Sequence, residues 1–155
     1  MISPETLRHY PLFHSFSDSQ LRAIAMVADE EIVEAGTTLF QLGQRADLLY
    51  ILKDGCIDLY YLAGSKGSSN DQKSFLVGEI NPGEMFSISA LIEPHILSST
   101  ASASRRSVVI KIEAESLRAL FVKDKKLAYL LTYQVAKASI ERLHSTHIQL
   151  AAAWA

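Results

Sequence analysis

The chain has 155 residues, a length that favours one domain with a sizeable core. At 48% hydrophobic and 21% charged residues, it has the composition of an ordinary folded protein. Its 15 basic and 17 acidic residues leave a net charge of −2, which excludes a nucleic-acid binder driven by bulk charge, and the lone Cys56 excludes an internal disulfide and a thiolate zinc site.

The opening stretch, MISPETLRHYPLF, has no apolar segment behind a basic start and so does not read as a secretory leader. Pro4 sits at the first turn of a short helix. After the Pro11-Leu12-Phe13 break, Ser17-Asp18-Ser19-Gln20 has the form of a capping box. Leu21, Ile24, Ala25 and Ala28 follow at helical spacing, so a helix is predicted to end near Asp29.

From Glu31 the period changes. Ile32-Val33 and the runs 37–40, 48–52, 57–62, 75–80, 99–103 and 107–112 are short and strand-like, separated by glycine or polar turns. Alternation places Ile57, Leu59 and Tyr61 on one face and Cys56, Asp58 and Tyr60 on the other. Gly36, Gly43, Gly55 and Gly83 fall at the breaks. Segment 64–71 (GSKGSSND) reads as a hairpin tip, and Arg105-Arg106 as a second, solvated one. The pattern predicts a sandwich, barrel or roll whose core includes Ile51, Ile57, Leu59, Leu76, Phe86, Leu91, Val109 and Ile112.

The last third is helical again. Residues 114–121 form a short helix, and from about Lys125 no Pro or Gly interrupts a helix to the end. Tyr129, Tyr133, Ala136, Ile140, Leu143, His147, Leu150 and Trp154 make an unbroken stripe along it, while Leu127, Leu131, Val135 and Ala138 make a second stripe on its first half only. The half-length stripe suits the chain's own β domain, and the full-length one suits a second copy of the helix.

The stretch from Val33 through Gly55, with glycines spaced G-x6-G-x11-G, together with Ile57-Asp58-Leu59, Gly83-Glu84-Met85-Phe86 and Ala90-Leu91, closely resembles the cyclic nucleotide-binding domain family. Tyr10 to Ser17 resembles the family's opening segment, and the likeness runs from about Leu7 to Leu143. It implies a mainly β fold with flanking helices: a β-roll of about eight strands, jelly-roll-like, followed by a long C-terminal helix. One domain is expected over 1–155, with N-terminal helices at 1–30, the roll at 31–113 and C-terminal helices at 114–155. Catabolite-activator-like members, which this chain resembles, pair through the long helix and continue into a DNA reader. With Ala155 as the last residue, no reader is expected here.

The resemblance also locates a ligand cassette, at Phe86, Ser87, Ile88, Ser89, Ala90, Leu97, Ser98 and Ser99. In the family it reads roughly F-G-E-[LI]-[AG]-L and then R-[ST]-A: amides near the Gly approach the cyclic phosphate, the Glu holds the ribose hydroxyl and the Arg neutralises the phosphate. Here Ser87 stands for the Gly, Ile88 for the Glu and Leu97 for the Arg. A charged hydrogen bond contributes about 1.5–3 kcal/mol, so losing two weakens a cyclic nucleotide by about two to four decades. A short helix is expected near Ser87–Ile92, and its N-terminal amides near Ser87–Ala90, the serine hydroxyls and nearby His95 are what remain to hold an anion.

Other chemistry has less support. His144 and His147 lie at i and i+3, but no cysteine spacing or carboxylate partner supports a metal or haem site, and none is expected. No nucleophile–base set, HExxH or phosphate loop is present, so the chain does not read as an enzyme. The sequence predicts a cytoplasmic homodimer that senses a small molecule without being a tight cyclic AMP receptor. The alternatives are a ligand-free dimeric scaffold for a protein partner, and a true cyclic nucleotide or haem sensor on the same fold. Neither nucleic acid nor membrane is expected as a direct partner.

Overall fold

The computed structural model describes residues 1–64 and 73–155. Helix α1 (Pro4–Arg8) is capped by Ser3, and a 3-10 turn covers Pro11–Phe13. Helix α2 (Asp18–Met26) opens on the expected capping box: Ser17 Oγ accepts from Gln20 N–H, and Gln20 Oε1 accepts from Ser17 N–H. The helix stops at Met26, short of Asp29, because Ala28 already pairs with Ile112 as the first residue of a strand.

Eight strands follow: β1 (Ala28–Val33), β2 (Thr38–Phe40), β3 (Leu48–Asp54), β4 (Ile57–Ala63), β5 (Lys73–Ile80), β6 (Met85–Phe86), β7 (Thr100–Ala103) and β8 (Ser107–Glu113). They form two antiparallel four-stranded sheets, ordered β1-β8-β3-β6 and β2-β7-β4-β5. This is a jelly-roll-like β-roll, with its first strand beginning three residues before the expected boundary at 31. Leu49, Ile51, Ile57, Phe86, Val109, Ile110 and Ile112 are each fully buried and belong to one hydrophobic core. Gly55 packs where no other residue fits: it has φ +103°, and a Cβ there would lie 2.6 Å from Ser107 Cα.

Three expectations fail for identifiable reasons. Leu76 is 53% exposed and Tyr61 48% exposed, although both were expected on the inner face. A register shift between Leu59 and Tyr60 puts an extra residue on β5 and sets Leu76 opposite Tyr60, while Tyr61 lies beyond the β4–β7 pairing, which ends at Tyr60; β5 is an edge strand with nothing buried before Ile80. Leu91, expected in the core, is only half-buried at the end of the 3-10 turn Ile88–Leu91, close to where a short helix is expected. Arg105-Arg106 is not a hairpin tip, because β7 and β8 belong to different sheets; Arg105 instead donates to Gly55 O at 3.3 Å. Apart from Gly64, the tip expected at 64–71 lies outside the described residues.

Helix α3 (Ala114–Lys123) leads into α4 (Lys125–Ala153), whose 29 residues are about 43 Å long. Asp124 caps α4 by accepting from Leu127 N–H at 3.0 Å. Leu127, Leu131 and Val135 are buried against the roll, as the half-length stripe predicts. The long stripe is bare in the single chain: Tyr129, Tyr133, Ile140, Leu143, Leu150 and Trp154 are 56–84% exposed, and Ala136 and His147 are exposed with them. Among the described residues, no helix is long and apolar enough to cross a membrane.

Candidate ligand site

Two cavities flank the cassette. The larger, about 710 Å³, lies between α4 and the β4–β5–β6 side of the roll. Leu59, Val77 and Met85 form part of its floor, Ser98 and Ser99 one wall, and α4 the other wall, through Gln134, Lys137, Glu141, Arg142 and Ser145. Its volume lies within the range of small-molecule sites. The smaller, about 170 Å³, lies beside Phe40, Tyr50, Ser87 and Leu97.

The cassette begins on a packed aromatic anchor. Phe86 stacks on Tyr50 with centroids 4.9 Å apart, and Phe40 lies within 6.1 Å of both rings. Ser87 follows in the left-handed region, at φ 59° and ψ 38°. It therefore adopts a conformation natural to the glycine of the family pattern, at a cost that glycine escapes. Its Oγ donates to Leu48 O at 2.7 Å, turning the hydroxyl away from the larger cavity and into the strand β3 backbone. A 3-10 turn, Ile88–Leu91, completes the cassette's first half, and Arg118 of α3 donates to Ala90 O at 2.9 Å.

The eight cassette residues named from the sequence do not form one site. Only Ser98 and Ser99 line the larger cavity. Ser87 and Leu97 line the smaller one, Phe86 and Ala90 are buried, and Ile88 and Ser89 are half-buried and line neither. Leu97, taken as the replacement for the family's arginine, is a core residue at 5% exposure. Its backbone N–H donates to Gln44 O and its O accepts from Gly43 N–H, which fixes its side chain inward. The adjacent Ser98 is the residue that faces the larger cavity. His95 also lines neither cavity; its O accepts from Ala46 N–H at 2.7 Å.

Sequence reasoning missed the α4 wall. The barrel-facing stripe Leu127, Leu131, Val135, Ala138 continues at the same spacing as Arg142, Ser145 and Gln149, polar where it meets the cavity. Arg142 is the deepest of these: it alone is not exposed beyond Ala138, and its Nη2 donates to Met85 O. Burial pushes its guanidinium below the ordinary range, with the charges of Glu84 and Glu141 opposing.

One group of possible metal-ligating side chains occurs among the described residues: Cys56, Asp58 and Glu79, whose ligand atoms lie within 4.8 Å of one another. Cys56 Sγ donates to Glu79 Oε1 at 3.1 Å. Burial, with the Glu79 and Asp58 charges, pushes the thiol up and keeps it protonated at neutral pH. His144 and His147 are both exposed on α4 and belong to no such group.

A family model for the cyclic nucleotide-binding domain matches residues 30–124. A candidate cyclic nucleotide-binding protein from Geobacter metallireducens GS-15 is 35% identical, with a TM-score of 0.80 over 93% of this chain and 100% of that one. A cyclic nucleotide-binding-like protein from Brucella abortus bv. 1 str. 9-941 is 29% identical, with a TM-score of 0.58 over 76% of this chain and 96% of that one. The sensor domain of the transcriptional regulator DNR from Pseudomonas aeruginosa shares the fold, at 20% identity and a TM-score of 0.67 over 87% of this chain and 91% of that one. No curated protein sequence matches this chain. The chain belongs to the cyclic nucleotide-binding domain family.

Proposed function

We propose that this chain is a non-catalytic sensory domain that works as a two-fold dimer through α4 and does not hold cyclic AMP tightly. The observation that carries the reading is the double role of α4. The helix walls the larger cavity with one face, and with another presents the bare stripe from Tyr129 to Trp154. A molecule entering the cavity therefore touches the same rigid element that a second copy would pair with. So large an exposed apolar stripe is unusual for a monomer.

Weak cyclic AMP binding follows from the cassette. Ser98 and Ser99 offer the phosphate hydroxyls but no charge, and Ile88 offers the ribose hydroxyl no acceptor. With two charged contacts gone, affinity no tighter than about 100 μM is expected. Light scattering tests the dimer: the wild type should be dimeric at about 50 μM, a concentration that populates weak dimers, and Leu143→Asp, at a site 56% exposed in the single chain, should be monomeric and folded. A monomeric wild type would overturn the pairing. Calorimetry tests the other half, and a low-micromolar dissociation constant for cyclic AMP would overturn it.

A further inference from the structure

On the reading that the larger cavity is a ligand site, we infer that Arg142 is its anion-reading residue, so that the cation the cassette lacks is supplied from the helix side and the ligand carries a phosphate or carboxylate. A guanidinium has five N–H donors in a fixed fork. Arg142 uses one nitrogen, Nη2, on Met85 O and forms no ion pair among the described residues. Among those residues no buried side-chain nitrogen lacks a partner, so the nitrogens that Met85 does not engage reach solvent, and Arg142 itself lines the cavity.

The carboxylates around the cavity do not satisfy this charge. Glu84 Oε1 accepts from Asn81 N–H at 2.6 Å, and Glu79 accepts from the Cys56 thiol. Glu141 is exposed on α4, and neither it nor Glu84 comes within ion-pair distance of Arg142. Lys137 lines the same wall as a second cation, and the hydroxyls of Ser98 and Ser99 face the cavity with no side-chain hydrogen bond among the described residues. A desolvated guanidinium with open donors, flanked by hydroxyls, is an arrangement for charge-assisted hydrogen bonds to an acid group. The Met85 bond holds the fork in place beforehand, which reduces the ordering cost of binding.

The test uses the 15N-labelled full chain and follows the Arg142 Nε–H resonance. Cyclic AMP, as a weak phosphodiester probe, and inorganic phosphate should each shift it saturably below about 20 mM, the range of weak anion sites. Arg142→Gln should weaken cyclic AMP about tenfold and Arg142→Lys less, because an ammonium keeps the charge but not the fork. Adenosine, which carries no charge, should bind both variants within twofold of the wild type, which also shows that they fold. An Arg142 signal that neither anion moves, or cyclic AMP affinity within twofold of wild type in Arg142→Gln, would make Arg142 a structural latch only and overturn the assignment. If adenosine still binds in that case, the cavity remains a ligand site and only the role of Arg142 falls. If no probe binds and the wild type is monomeric, the sensory reading falls with it.

Discussion

Replacing Ser87 separates two energies that the wild type combines. The residue is 7% exposed, sits at φ 59° and donates its hydroxyl to Leu48 O at 2.7 Å. Ser87→Ala keeps the left-handed backbone and loses the hydrogen bond, a net cost of about 0.5–1.5 kcal/mol. Ser87→Gly loses the same bond but relieves the left-handed conformation, a gain of about 1–2 kcal/mol. Glycine also loosens the unfolded chain, which returns about 0.4–1 kcal/mol of that gain. The glycine variant should therefore lie about 1 kcal/mol above the alanine variant, near the wild type, and melt about 2–4 °C higher than alanine for a chain of this length. Paired thermal and urea unfolding measure the gap. An alanine variant that melts at or above the glycine variant would show that the backbone at Ser87 carries no strain and that the hydroxyl is its whole role.

Leu97→Arg should not restore the family's cation: it places an unpaired guanidinium in the core at 5% exposure, costing about 3–5 kcal/mol, whereas Ser98→Arg should fold normally and tighten cyclic AMP in calorimetry. A Leu97→Arg variant as stable as wild type would contradict the core placement. Gly55→Ala sets a Cβ 2.6 Å from Ser107 Cα at a φ of +103°, so urea unfolding should register a loss of about 2–5 kcal/mol, strain and overlap combined. The carboxyl of Asp124 is held below its ordinary value of 3.8 by the Leu127 N–H and by Gln20. Its stabilisation is therefore complete above that value and is lost as the pH falls through the lower, folded one. Asp124→Asn keeps an acceptor but cannot titrate, so its melting gap to wild type should be constant near neutrality and shrink in acid; a gap independent of pH would refute the cap's electrostatic role.

The roll was legible because its signals are local. The switch from helical to alternating spacing near Glu31 and the spacing of Gly36, Gly43 and Gly55 both reflect backbone geometry that neighbouring residues dictate. The capping box at Ser17 and Gln20 is equally local. What escaped depended on partners elsewhere in the chain. Leu76 follows a register slip against β4, and Tyr61 lies past the end of the β4–β7 pairing; alternation within one strand carries no trace of either. Leu97 and Ser98 sit in an irregular segment, where adjacency in sequence does not say which of two side chains turns inward. Arg142 was readable in principle: it continues the Leu127–Leu131–Val135–Ala138 face, and a stripe that becomes polar midway along a helix marks a change in what it faces.

The attachment of α4 also sets a mechanical ratio. Its apolar anchors end at Val135, and beyond Ala138 only Arg142 is withdrawn from solvent, so the remaining 11 residues to Ala153 extend about 16 Å past the last point of contact. A stiff rod held near its middle magnifies small rotations at the fulcrum. A tilt of about 10° about Arg142 displaces the helix end by about 3 Å, roughly two helical rises of 1.5 Å. That is more than the tolerance of interdigitated side chains, which lose much of their attraction over a gap of about 1 Å. A cavity change too small to repack the roll would thus be large where Leu150 and Trp154 lie, and the helix would report it as an altered angle at its far end.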